Sequence, residues 1–138
     1  MAQFSYQEQD QDWRDWITAH PREVLYAAET GGGEIVAYAL ARAGLSDIPP
    51  YDSELLALHV RDLEQRQGIG GQLLTTIAQE LKQQGSSSLM TWVADKNPAR
   101  LLYERLGDVM IGERIVHLGE GDMALVEVAY GWSNIESL

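Results

Sequence analysis

Gln65-Arg66-Gln67-Gly68-Ile69-Gly70-Gly71 lies between an apolar run, Leu55–Val60, and a helical run that starts at Leu73. Closely spaced glycines at a helix start let backbone N–H groups approach an anion, because no Cβ stands in the way. The unpaired N–H groups of the first turn and the positive end of the helix dipole then favour phosphate. Two phosphate loops can be tested against the stretch. A Walker loop requires Gly-Lys-Ser/Thr after its glycines, and Gly71-Gln72-Leu73 supplies neither the lysine nor the hydroxyl. A dinucleotide fingerprint requires a third small residue where Leu73 stands.

Outward from this loop the chain alternates between the two hydrophobic periods. Ser5–Ala19 reads as a helix, with Trp13, Trp16 and Ile17 on one face and Pro21 beyond its end. Val24–Glu29 and Glu34–Ala43 read as a hairpin across Thr30-Gly31-Gly32-Gly33. In its second strand Val36, Tyr38 and Leu40 fall on one face, and Ala37, Ala39 and Ala41 on the other. Gly44–Ser53 is a loop that Pro49-Pro50 should hold extended, and Glu54–Val60 is a strand buried on both faces.

After the glycines, Leu73, Leu74, Ile77, Ala78 and Leu81 keep helical spacing until Gly85. Leu89–Ala94 is a strand, and Asn97-Pro98 caps a short helix that ends at Gly107. Strands at Val109–Leu118 and Met123–Trp132 join through Gly119-Glu120-Gly121. The order α-β-β-β-α-β-α-β-β implies an α/β (α+β) protein, a mixed and mostly antiparallel sheet flanked by helices.

Composition narrows the partners. The 138 residues suit one domain, and no apolar run approaches the roughly 18 residues of a membrane span. The acidic, glutamine-rich start lacks the basic and apolar regions of a signal peptide, so the cytoplasm is the expected compartment. With no cysteine there is no disulfide, thiolate metal site or cysteine nucleophile. No His/Asp/Glu cluster has ligand spacing, so no metal is expected. A net charge of -11 argues against nucleic acid. Residues 1–59 carry ten acids and three bases, whereas six of the ten bases fall between Arg61 and Arg105, around the glycine loop. An anionic ligand toward the second half and a cationic one toward the first would match that asymmetry.

The pattern Gln65-x-x-Gly68-x-Gly70-Gly71 before an apolar helix resembles the coenzyme A pyrophosphate loop of the GNAT superfamily of N-acetyltransferases. Asn97-Pro-Ala-Arg-Leu-Leu-Tyr103-Glu-Arg-Leu-Gly107 is similar to a second segment of that family, in which the asparagine contacts coenzyme A and the tyrosine lies near its sulfur. By themselves, Asn97 would read as an ordinary N-cap and Tyr103 as a core residue. The resemblance covers residues 22–132 and implies a GNAT-like fold with acetyl-CoA as co-substrate, an amine acceptor and no metal. The family usually opens with a strand and two helices that wall the acceptor pocket. About twenty residues precede the first clear strand here, enough for one helix. The acceptor side is therefore expected to be abridged, open, or completed by another subunit, as in a homodimer. Asp108 stands where the family usually has an aromatic.

The resemblance also assigns roles. Backbone amides of Arg66, Gln67, Gly68, Ile69, Gly70 and Gly71 would hold pyrophosphate, and Gln65 joins them in the cofactor-binding motif. The main chain of Leu58, His59 and Val60 would pair with the pantetheine arm and point an N–H at the thioester oxygen, a contribution of about 2.7–4 kcal/mol per donor. Presenting a lysine-like amine neutral at pH 7 costs about 4.6 kcal/mol, which makes a base useful. Glu54 stands where family members that use a strand carboxylate keep it. Strict alternation puts it on a face with Leu56, Leu58 and Val60, where burial tunes a carboxylate toward a base suited to neutral pH. The competing reading is a solvated glutamate at a strand start. The Tyr103 phenol would protonate or hydrogen-bond the departing thiolate. These residues favour an enzyme acting by direct attack in a ternary complex. The alternative is an acyl-CoA-binding regulatory module with little turnover; a purely structural domain would leave both motifs unexplained.

Overall fold

A computed structural model describes residues 3–5, 22–61, 68–107, 109–119 and 123–138. The elements are β1 (Gln3–Ser5), β2 (Glu23–Glu29), β3 (Ile35–Ala43), β4 (Ser53–Val60), α1 (Ile69–Gln83), β5 (Leu89–Ala94), α2 (Ala99–Arg105), β6 (Val109–His117) and β7 (Ala124–Trp132), with a final 3₁₀ turn, Ile135–Ser137. The strands form one sheet in the order β1-β2-β3-β4-β5-β7-β6. Every pairing is antiparallel except β4 with β5. The periodicity gives a helix from Ser5 and no strand before it, whereas Gln3–Ser5 is a strand that exists by pairing with Ala27–Glu29. The rest of the expected helix, with Trp13 and Trp16, lies outside the described residues.

Alanines decide how closely α1 can sit. Ala37, Ala39, Ala41 and Ala43 are buried on one face of β3, and α1 packs across β2, β3 and β4 with Leu73, Leu74, Ile77 and Leu81 fully buried. Small residues on the sheet let those side chains reach the backbone, and each buried leucine or isoleucine contributes roughly 1.5–3 kcal/mol. Gly85, with φ of 99°, ends the helix, where Ser86 N–H closes on Leu81 O.

Irregularities in the ladders correct the simple alternation. Ala28 pairs Ala37 but Glu29 pairs Ile35, so Val36 is an extra residue and is buried rather than sharing the exposed face of Tyr38. In β4, Leu40 pairs Ala57 while Ala41 pairs Leu55, which makes Leu56 the extra residue. The 44–52 loop is not extended: Tyr51 N–H returns to Ile48 O, and the Ser46 hydroxyl donates to Tyr51 O.

Candidate active site

The sheet opens between its two parallel strands. At one end β4 and β5 are tied together. The Asp52 carboxylate accepts N–H and O–H groups from both Ser87 and Ser88, and the Ser53 hydroxyl donates to Ser88 O. Burial works against the Asp52 charge, yet these four donor groups outweigh it and hold its carboxyl below the ordinary value. Ser87 and Ser88 thus supply these donors from the loop between α1 and β5. The parallel ladder then runs for only two pairs, Glu54 with Met90 and Leu55 with Thr91. The bulge at Leu56 bends β4 immediately after them, and the Thr91 hydroxyl donates to Leu55 O at the point of divergence.

Beyond that point the strands splay around a cleft of about 330 Å³. Leu56, Ala57, Leu58 and His59 border it from β4, and Thr91 to Ala94 from β5. The edge of β4 turned toward β5 is unpaired with it here, which suits main-chain pairing with an extended ligand.

Cross-strand partners share a face, so the register shows that the cleft passes between the two faces of the sheet. On the helical face it meets Asn97, Ala99 and Tyr103 of the α2 region. Tyr103 is 3% exposed, with its ring edge-on to Trp132 and tilted against Tyr130. Tyr130 accepts from Arg100 Nε at 2.9 Å and donates to Glu104 at 3.0 Å. Burial pushes its phenol above the ordinary value, and the Glu104 hydrogen bond adds to the shift while Arg100 opposes it. Asn97 Oδ1 accepts Ala99 N–H at 2.9 Å, so Asn97 does serve as a local cap at the cleft.

On the opposite face the cleft meets Tyr38, His59, Trp92 and Glu127. His59 lies against the Tyr38 ring at 5.7 Å between centroids. Arg114 stacks over Trp92 at 4.0 Å and binds Glu127 through Nε at 2.9 Å. Asp47 accepts from Trp92 Nε1 at 2.9 Å and pairs with Arg114 at 3.2 Å, tying the 44–52 loop to β5 and β6. Sequence reasoning passed over Trp92 and Glu127. The available signal was one acidic residue, Glu127, inside the apolar run Ala124–Ala129.

Glu54 is displaced from its expected setting. The extra residue at Leu56 reverses the alternation, so Glu54 shares a face with Ala57 and His59, opposite Arg42, and not with Leu58 and Val60. It is 8% exposed; its Oε1 accepts Asp47 N–H at 2.7 Å and lies 3.5 Å from Arg42. Glu54 does not border the cleft.

The glycine loop divides into described and undescribed parts. Gln65, Arg66 and Gln67 lie outside the described residues. Gly68 has φ of 80° and precedes α1, which begins at Ile69, four residues before the expected Leu73. Among the described residues no side chain caps α1, and no acid stands in its first turn. Gly70 and Gly71 lie inside the helix rather than before it. A Cβ on Gly70 would stand 3.1 Å from Leu102 Cδ2 of α2 and 3.7 Å from Val60 Cγ2. That glycine therefore brings the N-terminus of α1 against α2 and the end of β4, close to the cleft walls. Among the described residues no group of three or more His, Cys, Asp or Glu side chains could hold a metal ion.

Residues 33–126 match the FR47-like protein family. The chain is 28% identical over 134 residues, 97% of its length and 74% of the relative's, to the uncharacterized N-acetyltransferase YuaI of Bacillus subtilis. Arabidopsis thaliana NAA60, solved with a bisubstrate analogue, superposes with a TM-score of 0.73 at 16% identity, over 96% of this chain and 97% of that one. The yncA protein of Salmonella typhimurium, assigned as an acetyltransferase and solved with its cofactor acetyl-CoA, gives a TM-score of 0.69 at 21% identity, covering 89% and 73%.

Proposed function

We propose, since the chain belongs to the FR47-like protein family and has the GNAT acetyltransferase fold, that it transfers the acetyl group of acetyl-CoA to a cationic primary amine by direct attack in a ternary complex. The observation that carries this reading is a cleft bordered from both faces of the sheet. One substrate can enter along the helical face and the other from the opposite face, so a thioester carbonyl and an amine can meet without a covalent enzyme intermediate.

On the helical face, the N-terminus of α1, which no described side chain caps, and the glycines at 68, 70 and 71 suit a pyrophosphate. The main chain of β4 at Leu58–Val60, beyond the last β4–β5 ladder pair, suits the pantetheine arm, with a backbone N–H polarising the thioester carbonyl. Tyr103 is the group for the departing sulfur, as a proton donor or hydrogen-bond donor. Asn97 sits at the same wall.

Across the sheet, Glu127 is the carboxylate that borders the cleft, and Arg114 orients it. We assign it the capture of the positively charged acceptor. Glu54 remains the candidate for removing the amine proton, through water, since it does not border the cleft itself. The excess of acid in residues 1–59 supports a cationic acceptor, and the net charge of -11 weighs against nucleic acid. Among the described residues no helix is long and apolar enough to cross a membrane. We read the chain as one acetyltransferase domain working in the cytoplasm.

A thermal-shift screen with acetyl-CoA, CoA and a panel of amines tests the reading, followed by a thiol-release assay. Protection by acetyl-CoA and turnover with cationic amines are expected. Protection without turnover on any amine would favour the acyl-CoA-binding regulatory module. No protection at all would remove the cofactor assignment.

A further inference from the structure

The sheet ends at β6, whose outer edge pairs with no strand among the described residues. The strand has no proline, so the outward N–H and C=O groups of its nine residues form a template for another strand. Its regular part is short. An irregularity lies between Met110 and Gly112, and Gly119 turns the chain with φ of 69°. Between them, Glu113, Ile115 and His117 share one face of the sheet, opposite Val128, Val126 and Ala124. All three are exposed, Ile115 by 61%, and Leu118 and Met123 extend the apolar surface beyond the strand end.

The charges select among self-pairings. Two copies joined antiparallel in one continuous sheet keep facing residues on the same face, so the two-fold axis must pass through a residue. An axis at Glu113 sets two glutamates opposite each other, which opposes association, and an axis at Arg114 sets Glu113 opposite Ile115 and leaves it without a cationic partner. An axis at Val116 sets Glu113 opposite the Gly119 turn and leaves it unpaired. An axis at Ile115 sets Ile115 on its own copy and Glu113 opposite His117 of the second copy, twice by symmetry. In that register Arg114 meets only Val116, and its own charge is already matched by Asp47 and Glu127 within the chain.

We propose that the chain forms a homodimer by antiparallel β6–β6 pairing about a two-fold axis at Ile115, flanked by two Glu113–His117 contacts. The dimer continues the sheet from one copy into the next and leaves the β4–β5 cleft of each copy accessible. It rests on the edge strand alone and stands or falls independently of the acetyl-transfer reading.

Single cysteines test the register, since the chain has none of its own. Directly opposed strand residues place their Cβ atoms about 4.5–5.5 Å apart, close to the roughly 3.5–4.5 Å of a disulfide. Ile115→Cys should therefore give a covalent dimer under mild oxidation. Glu113→Cys alone should not, because its copies lie four residues out of register. Mixing Glu113→Cys with His117→Cys should restore cross-linking as the mixed species. Sedimentation of the wild-type chain should show a concentration-dependent dimer, and Ile115→Lys should sediment as a monomer that stays folded, with a melting temperature matching that of the wild-type chain diluted below its dissociation range. A wild-type chain that stays monomeric across the micromolar range overturns the proposal. So does a dimer that cross-links through Glu113→Cys alone, or that persists in Ile115→Lys.

Discussion

Tyr103→Phe separates chemistry from packing at the residue on which the two are most entangled. The side chain is 3% exposed, and its ring lies 5.7 Å from Trp132 and 5.8 Å from Tyr130 between centroids. Phenylalanine keeps every ring contact and removes one hydroxyl. A buried hydrogen bond contributes about 0.5–1.5 kcal/mol net, so the melting temperature should fall by only about 2–5 °C. Tyr103→Ala would instead lose roughly 3–5 kcal/mol through the cavity it opens beside the cleft. Removing a general acid costs about 10²–10⁴-fold in rate, which is about 2.7–5.4 kcal/mol of transition-state stabilisation. Turnover should therefore fall far more than stability does, with affinity for CoA held within a few-fold. Release of the CoA thiol can be followed directly with a disulfide reagent, since the protein has no cysteine to react. The defect should shrink above pH of about 8.5, where a thiol of ordinary pKa leaves as thiolate unaided. Turnover by the variant within twofold of wild type, at unchanged CoA affinity, would assign Tyr103 to the core alone.

Glu54→Gln retains the acceptor for Asp47 N–H but gives up the Arg42 ion pair; if Glu54 is the base, kcat/KM should fall most at neutral pH, recover as rising pH deprotonates the amine, and resist added salt. A pH profile that overlays wild type would remove it from the mechanism, and a rise in KM alone would make it an electrostatic attractor. Gly70→Glu points its side chain at Leu102 and Val60, so the apo protein should lose about 1–3 kcal/mol of stability along with thermal protection by CoA. A variant with native melting temperature and full protection would dismiss both the packing and the phosphate arguments. Asp52 has its folded pKa lowered, so its stabilisation is complete above the ordinary carboxylate pKa of about 3.9 and is lost as pH falls through the folded value. Asp52→Asn should accordingly be less stable than wild type at pH 7, and denaturant midpoints should show that gap closing in acid; a gap independent of pH would mean the carboxylate charge plays no part.

Local patterns determined which elements this chain forms, because their causes lie within a few residues of one another. Helical spacing of Leu73, Leu74, Ile77 and Leu81, a glycine at positive φ at position 85, and Asn97 beside Pro98 are all satisfied without reference to distant chain. The glycine loop and the Asn97–Gly107 segment likewise identified the fold from sequence alone. Faces and partners were settled only by tertiary structure, since register depends on strands far apart. One extra residue at Leu56 moved Glu54 to the other face of β4 and ended its pairing with β5, which opened the cleft. Gln3–Ser5 carries no periodic signal of its own and became a strand only through β2. Glu127 and Trp92 look like ordinary members of apolar strands until β5, β6 and β7 are laid side by side, when Arg114 and Asp47 close around them. Even Gly70, legible as a residue that must lack a side chain, needed the position of Leu102 to show what its missing Cβ would have struck. A sequence fixes side-chain direction relative to its own backbone; what stands in that direction is decided by long-range pairing.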